Sequence, residues 1–182
     1  MMTPMQPSNL VKRHLQSIKA AGEHGRVLDL ACGSGRNGIY LVQQGQRVVF
    51  ADHKENKLDE ISRLLDQSEL TSYWCVDFEE PRVEPLTLGS FSAILVFRYL
   101  HRPLMQAIRQ AVQPGGLIIY ETFTIDQPRF GRPRNTHFLL QPGELEYVFR
   151  GWEVLHSFEG VSVSELTGQQ QAVAQLVARK PN

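Results

Sequence analysis

The segment that most restricts this 182-residue chain is VLDLACGSGRNG, residues 27–38. An apolar run, RVLDLA at 26–31, leads into Cys32, Gly33, Ser34 and Gly35, and a helical pattern follows at 37–44 until Gly45. A strand that ends in closely spaced glycines needs a backbone free to turn sharply and to approach whatever lies above it. The alternation continues, with RVVFAD (47–52) predicting a second strand, 54–67 a helix burying Leu58, Ile61, Leu64 and Leu65, and SYWCVDF (72–78) a third strand. FSAILVF (91–97), apolar almost throughout, reads as a parallel strand covered on both faces.

The flanks complete the pattern. Residues 9–21 form an amphipathic helix after Ser8, ended by Gly22, and read as a lid or brace. Prolines and charges make 79–90 a loop. Pro103 opens a helix running to Val112, which Pro114, Gly115 and Gly116 break before a fifth strand at 117–123. A Pro- and Arg-rich loop at 124–141 precedes a short helix begun by Pro142, and 152–161 with 171–180 form a closing hairpin that turns near Gly168. Strands alternating with helices imply right-handed crossovers, a parallel sheet with helices on both faces, and ligands at the carboxyl ends of the strands. We expect one α/β domain over 1–182: an N-terminal helix or lid at 1–24, a binding core at 25–123, and an acceptor loop, short helix and hairpin at 124–182.

Composition supports a folded core, because 42% hydrophobic and 21% charged residues are ordinary globular values. Cys32 and Cys75 form no CxxC pair or Cys/His ladder, and His14, His24, His53, His137 and His156 show no metal spacing, which argues against a zinc module. The thiol usage, the lack of an apolar span and the N-terminal segment point to a soluble cytoplasmic protein. With a net charge of +0, no global field draws the chain to nucleic acid. Locally, Asp52–Glu84 carries ten acidic residues against four basic ones, while Arg98–Arg134 carries six arginines against two acids.

Gly33, Gly35 and Gly38 also satisfy GxGxxG, the dinucleotide fingerprint. A pyrophosphate over that turn would be repelled by Asp29 at the strand end, whereas an ammonium and a sulfonium would be attracted. The stretch Asp29, Leu30, Ala31, Cys32, Gly33, Ser34, Gly35 resembles the first motif of class I S-adenosylmethionine (SAM)-dependent methyltransferases, an acid and an apolar residue before GxGxG. Ala31 departs from it by replacing the first glycine. RNGIYL, YLHRPL and PGGLIIYETF look like small stand-alone bacterial methyltransferases, including the tellurite-resistance type. The resemblance implies a Rossmann-like class I methyltransferase fold: a central, mostly parallel seven-stranded sheet with a C-terminal antiparallel hairpin.

It also implies SAM as cofactor and S-adenosylhomocysteine (SAH) as product. The cofactor would meet Asp29, Ala31, Cys32, Gly33, Ser34 and Gly35 at the first turn, Asp52 and His53 after the second strand, Asp77 and Phe78 closing the third, and Phe97 on the fourth. A carboxylate at Asp52 suits the two hydroxyls of a ribose, and the family's acid at the position of Asp77 accepts from the adenine amine. The cysteines read as packing residues rather than nucleophiles. The methyl group would lie over the ends of strands four and five. If the acceptor must lose a proton, His101 is the first candidate base, since imidazole ordinarily titrates near neutrality, with Glu121 and Tyr99 behind it. His101 equally suits a helix cap before Pro103.

Arg98, Arg102, Arg129, Arg132 and Arg134 offer forks for a small anionic acceptor, or else belong to a paired, exposed connector. No NPPY-type tetrad follows strand four, which with the charge balance argues against a nucleic-acid acceptor. Two other functions fit part of the pattern: a nicotinamide-dependent oxidoreductase, through GxGxxG and Asp52, and a SAM-binding sensor without catalysis.

Overall fold

The computed structural model describes residues 6–23, 25–80, 86 and 89–182. Seven strands, β1 (Val27–Leu30), β2 (Val48–Asp52), β3 (Thr71–Cys75), β4 (Phe91–Phe97), β5 (Val112–Phe123), β6 (Glu153–Val163) and β7 (Gln170–Arg179), form one sheet in the order β3-β2-β1-β4-β5-β7-β6. β1 to β5 pair in parallel, and β7 enters antiparallel between β5 and β6. The order reverses at β1 and β4, where the loops diverge and open a crevice at the carboxyl ends of the strands.

Period-two alternation divides the core into two layers. Val27, Val48, Phe50, Leu95, Ile119 and Val177 face α1 (Asn9–Arg13), α2 (Leu15–Gly22), α3 (Arg36–Gln43) and α4 (Glu55–Leu64). Leu28, Val49, Ile94, Ile118 and Leu176 face α5 (Met105–Ala111) and α6 (Glu144–Val148). The sheet is thus covered on both sides, as the apolar β4 requires.

Five local expectations change, the first being Leu64, which ends α4 largely exposed while Leu58 and Ile61 are buried. The N-terminal helix is two helices, because the chain departs from helical geometry at His14, although Ser8 does cap it through the Leu10 amide. β3 ends at Cys75, so Asp77 and Phe78 follow the strand rather than close it. β3 is an edge strand whose partner β2 ends at Asp52, opposite Cys75, and the chain beyond has no ladder to extend. Pro103 begins a 3₁₀ turn, Arg102–Leu104, and α5 starts only at Met105. Pro114, Gly115 and Gly116 do not separate α5 from β5 but lie inside the strand, which begins at Val112 with a register irregularity between Phe91 and Ala93. His24 and most of the 79–90 loop lie outside the described residues.

Gly116 allows that irregular start. A side-chain carbon there would stand 2.8 Å from the Ser92 carbonyl oxygen and 2.9 Å from that of Gln113, both backbone atoms that cannot rotate away. Gly116→Ala is therefore expected to destabilise the fold by about 1–3 kcal/mol through overpacking. A urea-denaturation midpoint equal to that of wild type would show that the sheet yields there.

Candidate functional site

At the carboxyl ends of β1, β2 and β4 lies a cleft of about 360 Å³ lined by Ala31, Asp52, His53, Val76, Asp77, Phe78, Glu79, Arg98 and Tyr99. Five of these were expected at the cofactor, and Arg98 and Tyr99 at the acceptor. Asp52 is buried; its Oδ2 accepts from the Gly33 amide at 2.8 Å and its Oδ1 from the Lys54 amide at 2.9 Å. A carboxylate offers about four lone-pair positions, so each oxygen keeps one for a ligand. His53 lies beside it, exposed, with Nδ1 3.4 Å from Oδ1. Asp77 is exposed and accepts the Glu79 amide at 2.9 Å, a local turn that places it at the cleft despite the early end of β3. Phe78 is buried and packs edge-on against Trp74.

The turn above β1 is open on one side and packed on the other. Gly33 has φ of 56°, and a side-chain carbon there would meet nothing within 4 Å. Ser34 is exposed. Gly35 has φ of 71°, and a carbon on it would press on Ile61 and Phe50. Ala31, where the family motif has glycine, also holds a left-handed φ of 52°, a conformation that disfavours a side chain by about 1–2 kcal/mol. The Cys32 amide bonds the Ala51 carbonyl, and burial with Asp29 and Asp52 nearby pushes its thiol far up, so it is no nucleophile.

Asp29 is not where the sequence suggested. Its carboxylate is 4% exposed, does not line the cleft, and accepts the Gly38 amide at 3.0 Å. Period two turns it under the turn, toward α3, rather than over it. Burial raises its pKa to about 7, opposed by the Gly38 bond and Arg36 and assisted by Asp52. Asp29 therefore shapes the site from beneath.

On the acceptor side the picture divides. Phe97 is half-buried under the Arg36 guanidinium, and Glu121 is buried beside it. Arg98, with φ of 55°, donates to Gln171 at 2.9 Å, lies over Phe123, and has a buried Nε without a partner among the described residues. The Tyr99 hydroxyl is likewise buried and unpartnered, and burial with Glu79 and Asp77 raises its pKa, so it remains a neutral donor rather than a base.

His101 takes the N-cap position of the 3₁₀ turn without a side-chain capping bond, and it does not line the cleft. Arg102 is not free for an acceptor. Its Nε and Nη2 grip Glu144 at 2.7 and 2.8 Å, and it also donates to the His137 and Leu139 carbonyls, which fastens the 124–141 loop to α6. Arg129 is exposed, 3.9 Å from Asp126, and Arg132 and Arg134 are exposed on the same loop, away from the cleft lining.

Sequence reasoning missed Arg36, whose side chain is 9% exposed and lies 3.7 Å from Glu165, and it missed Gln175, which donates to Glu121 at 2.6 Å. Arg36 follows the glycine turn directly, a position that signals proximity to the site. Gln175 carries no signal in the sequence.

Sheet order, glycine turn and strand-end carboxylates together define the class I methyltransferase fold. Residues 6–175 match the family described as tellurite resistance protein TehB, and the chain belongs to that family. Among curated proteins it is 28% identical over 167 residues to a protein of Haemophilus influenzae (strain 10810) named probable S-adenosyl-L-methionine-dependent methyltransferase TehB. That match covers 85% of this chain, which spans 57% of the relative's length. The crystal structure of TehB from Haemophilus influenzae superposes with a TM-score of 0.67 at 24% identity, covering 92% of this chain and 62% of that one. A Methanosarcina mazei structure described as a SAM-dependent methyltransferase gives a TM-score of 0.69 at 14% identity, covering 97% and 99%. A Burkholderia thailandensis 1,6-didemethyltoxoflavin-N1-methyltransferase with SAH bound gives 0.64 at 20% identity, covering 96% and 79%.

Buried Asp29 yields a pH test. Its folded pKa lies above the unfolded value of 3.8, so its contribution to stability is fully present below about pH 4 and is lost as pH rises through about 7. Asp29→Asn keeps an acceptor for Gly38 without the buried charge. Its melting temperature relative to wild type should rise between pH 4.5 and 8, and a pH-independent difference would contradict the placement.

Proposed function

We propose that this chain binds SAM in the cleft and transfers its methyl group to a small anionic acceptor over the ends of β4 and β5. The observation that carries the reading is the convergence of Asp52, Asp77 and Phe78 on one cleft that Ala31 and Tyr99 also line, with Asp52 holding the amide of Gly33 in the open turn beside it. These features fit the cofactor. When bound, SAM supplies a methyl group on a sulfonium, which an acceptor lone pair displaces in line.

Asp52 receives the ribose hydroxyls on its two remaining lone-pair positions, and Asp77 accepts from the adenine amine beside Phe78. Gly33 leaves room above the turn, while Asp29 holds its far end through Gly38. Tyr99 lines the cleft as a neutral side chain. Phe97 and Glu121 border the acceptor side, with Arg98 presenting charge just beyond β4. The N-terminal helices act as a brace: the Ser8 amide bonds Asn37 Oδ1 at 2.8 Å, and Arg36 donates to the Gln6 carbonyl at 3.0 Å, just past the glycine turn. Alignment and exclusion of water supply much of the acceleration in such a displacement. Arg132 and Arg134 recruit the acceptor from the loop that Arg102 anchors, and the family's association with tellurite resistance agrees with an oxyanion.

In a thermal-shift experiment SAM and SAH should raise the melting temperature and NAD should not, because a ligand that binds the native state alone stabilises it by mass action. Stabilisation by NAD alone would overturn the assignment. Asp52→Ala should weaken SAH binding about 10- to 150-fold by calorimetry, the equivalent of about 1.5–3 kcal/mol for hydrogen bonds to a charged group.

Arg132→Ala and Arg134→Ala should raise the acceptor KM by roughly 10- to 150-fold while SAH affinity stays within about twofold, with the effect shrinking at high salt. Wild-type kinetics in both variants across a panel of oxyanions would make the loop a solvated connector.

A further inference from the structure

Glu121 does not stand alone at the end of β5. Gln175 of β7 pairs with it across the antiparallel ladder, and the amide is engaged at both ends: Nε2 donates to Glu121 Oε2 at 2.6 Å, and Oε1 lies 3.0 Å from Nε2 of His156 on β6. The His156 ring in turn packs at 5.7 Å against His14, where α1 meets α2. A continuous path therefore runs from the N-terminal brace through β6 and β7 to a carboxylate at the acceptor side. Other charged groups facing Glu121 are Arg98 beyond β4, Arg36 of α3 and Glu165 between β6 and β7; beside His14 stands Arg13.

An amide is a directional link, with a donor at one end and an acceptor at the other. With Glu121 ionised, the NH₂ group must face it, so Oε1 faces His156, which must carry its proton on Nε2. If Glu121 takes up one proton from solvent, its O–H can donate to Oε1 once the amide turns over. The NH₂ group then meets His156, which must offer a lone pair at Nε2 and carry its proton on Nδ1. One proton enters, at Glu121, and the imidazole changes tautomer without changing charge.

We propose that Gln175 is a positioning residue that couples the charge of Glu121 to the tautomer of His156, holding Glu121 as a carboxylate aimed at the acceptor side. The functional meaning rests on the methyl-transfer reading, but the coupling itself does not. In this arrangement the brace helices and the carboxylate sense each other: a proton on Nε2 of His156 favours an ionised Glu121, and a change at the His14–His156 contact is transmitted to the site. Burial raises the pKa of Glu121, opposed first by the Gln175 bond and then by Arg98, so the amide does most to keep the carboxylate charged.

The test is a long-range ¹H–¹⁵N correlation of the histidine side chains at pH 8, above the ordinary carboxylate range, with His156 assigned through His156→Phe. Wild type should show His156 as the Nε2–H tautomer. Glu121→Leu should lose this preference although Gln175 is intact, because the amide is then free to turn, and Gln175→Met should lose it as well. An unchanged His156 tautomer in Glu121→Leu overturns the proposal, as does a wild-type His156 protonated on Nδ1. Should Glu121→Leu fail to fold, Glu121→Gln at the same pH takes its place, since a neutral amide of the same shape no longer forces the Gln175 NH₂ group towards it: the Nε2–H preference of His156 should weaken, and an unchanged tautomer overturns the proposal, while the wild-type spectrum decides the second point by itself. Calorimetry with SAH separates the two readings: coupling in a protein that binds no SAH supports the relay and overturns methyl transfer, whereas SAH binding without coupling does the reverse.

Discussion

Everything in the cleft depends on how the chain is held where β1 gives way to α3. Two buried carboxylates do this from neighbouring strands, Asp29 through the Gly38 amide and Asp52 through the Gly33 amide. Charge-assisted bonds to backbone are the stronger kind, and they fix a turn that carries left-handed residues at positions 31, 33 and 35. Gly38 is held to a bare α-carbon because a side chain there would strike Phe50 and the Asp29 carboxylate. Burial raises the pKa of Asp29, and the nearby Asp52 adds to the rise. A cationic ligand above the turn relieves this tension, and an anionic one adds to it.

Sheet register then places the chemistry. One step beyond the last β1–β2 rung, Leu30↔Ala51, and the β1–β4 rung, Leu30↔Val96, come Ala31, Asp52 and Phe97; Phe97 pairs with Glu121, Glu121 with Gln175, and Gln175 with Phe158. A single transverse row thus runs from β2 to the hairpin, with Phe97 packed on the face covered by α1 to α4 and Ala31 turned to the other. The acidic half of the chain lies at β2 and β3 and the arginine-rich half at β4 and β5, so the two ligands of a transfer reaction would meet surfaces of opposite sign. Arg102 is the exception, spent on Glu144 to anchor the loop that carries the other arginines.

Much of this was legible in the residues. The glycine turn, strand-end Asp52, the five parallel strands and the closing hairpin follow from period, turn chemistry and apolar runs, because those signals act within a few residues. The places of Asp77, Phe78 and Ala31 in the cleft were implied by the resemblance to the methyltransferase motifs, and they hold even though β3 ends early. What local pattern could not supply was side-chain direction and partnership. An acid at the end of β1 reads alike whether it points over the turn or beneath it, and an arginine before Pro103 reads alike whether it awaits an anion or grips Glu144.

The sequence by itself determined the architecture and the kind of site, since alternation of apolar runs with amphipathic helices leaves one economical way to bury both faces of a parallel sheet. Tertiary structure alone decided which groups touch. Glu121 and Gln175 are 54 residues apart and meet only through the antiparallel β5–β7 register, and His156 joins them only through β6. Hydrogen bonds act over about 3 Å, and no period in the chain encodes which distant residues arrive within that distance.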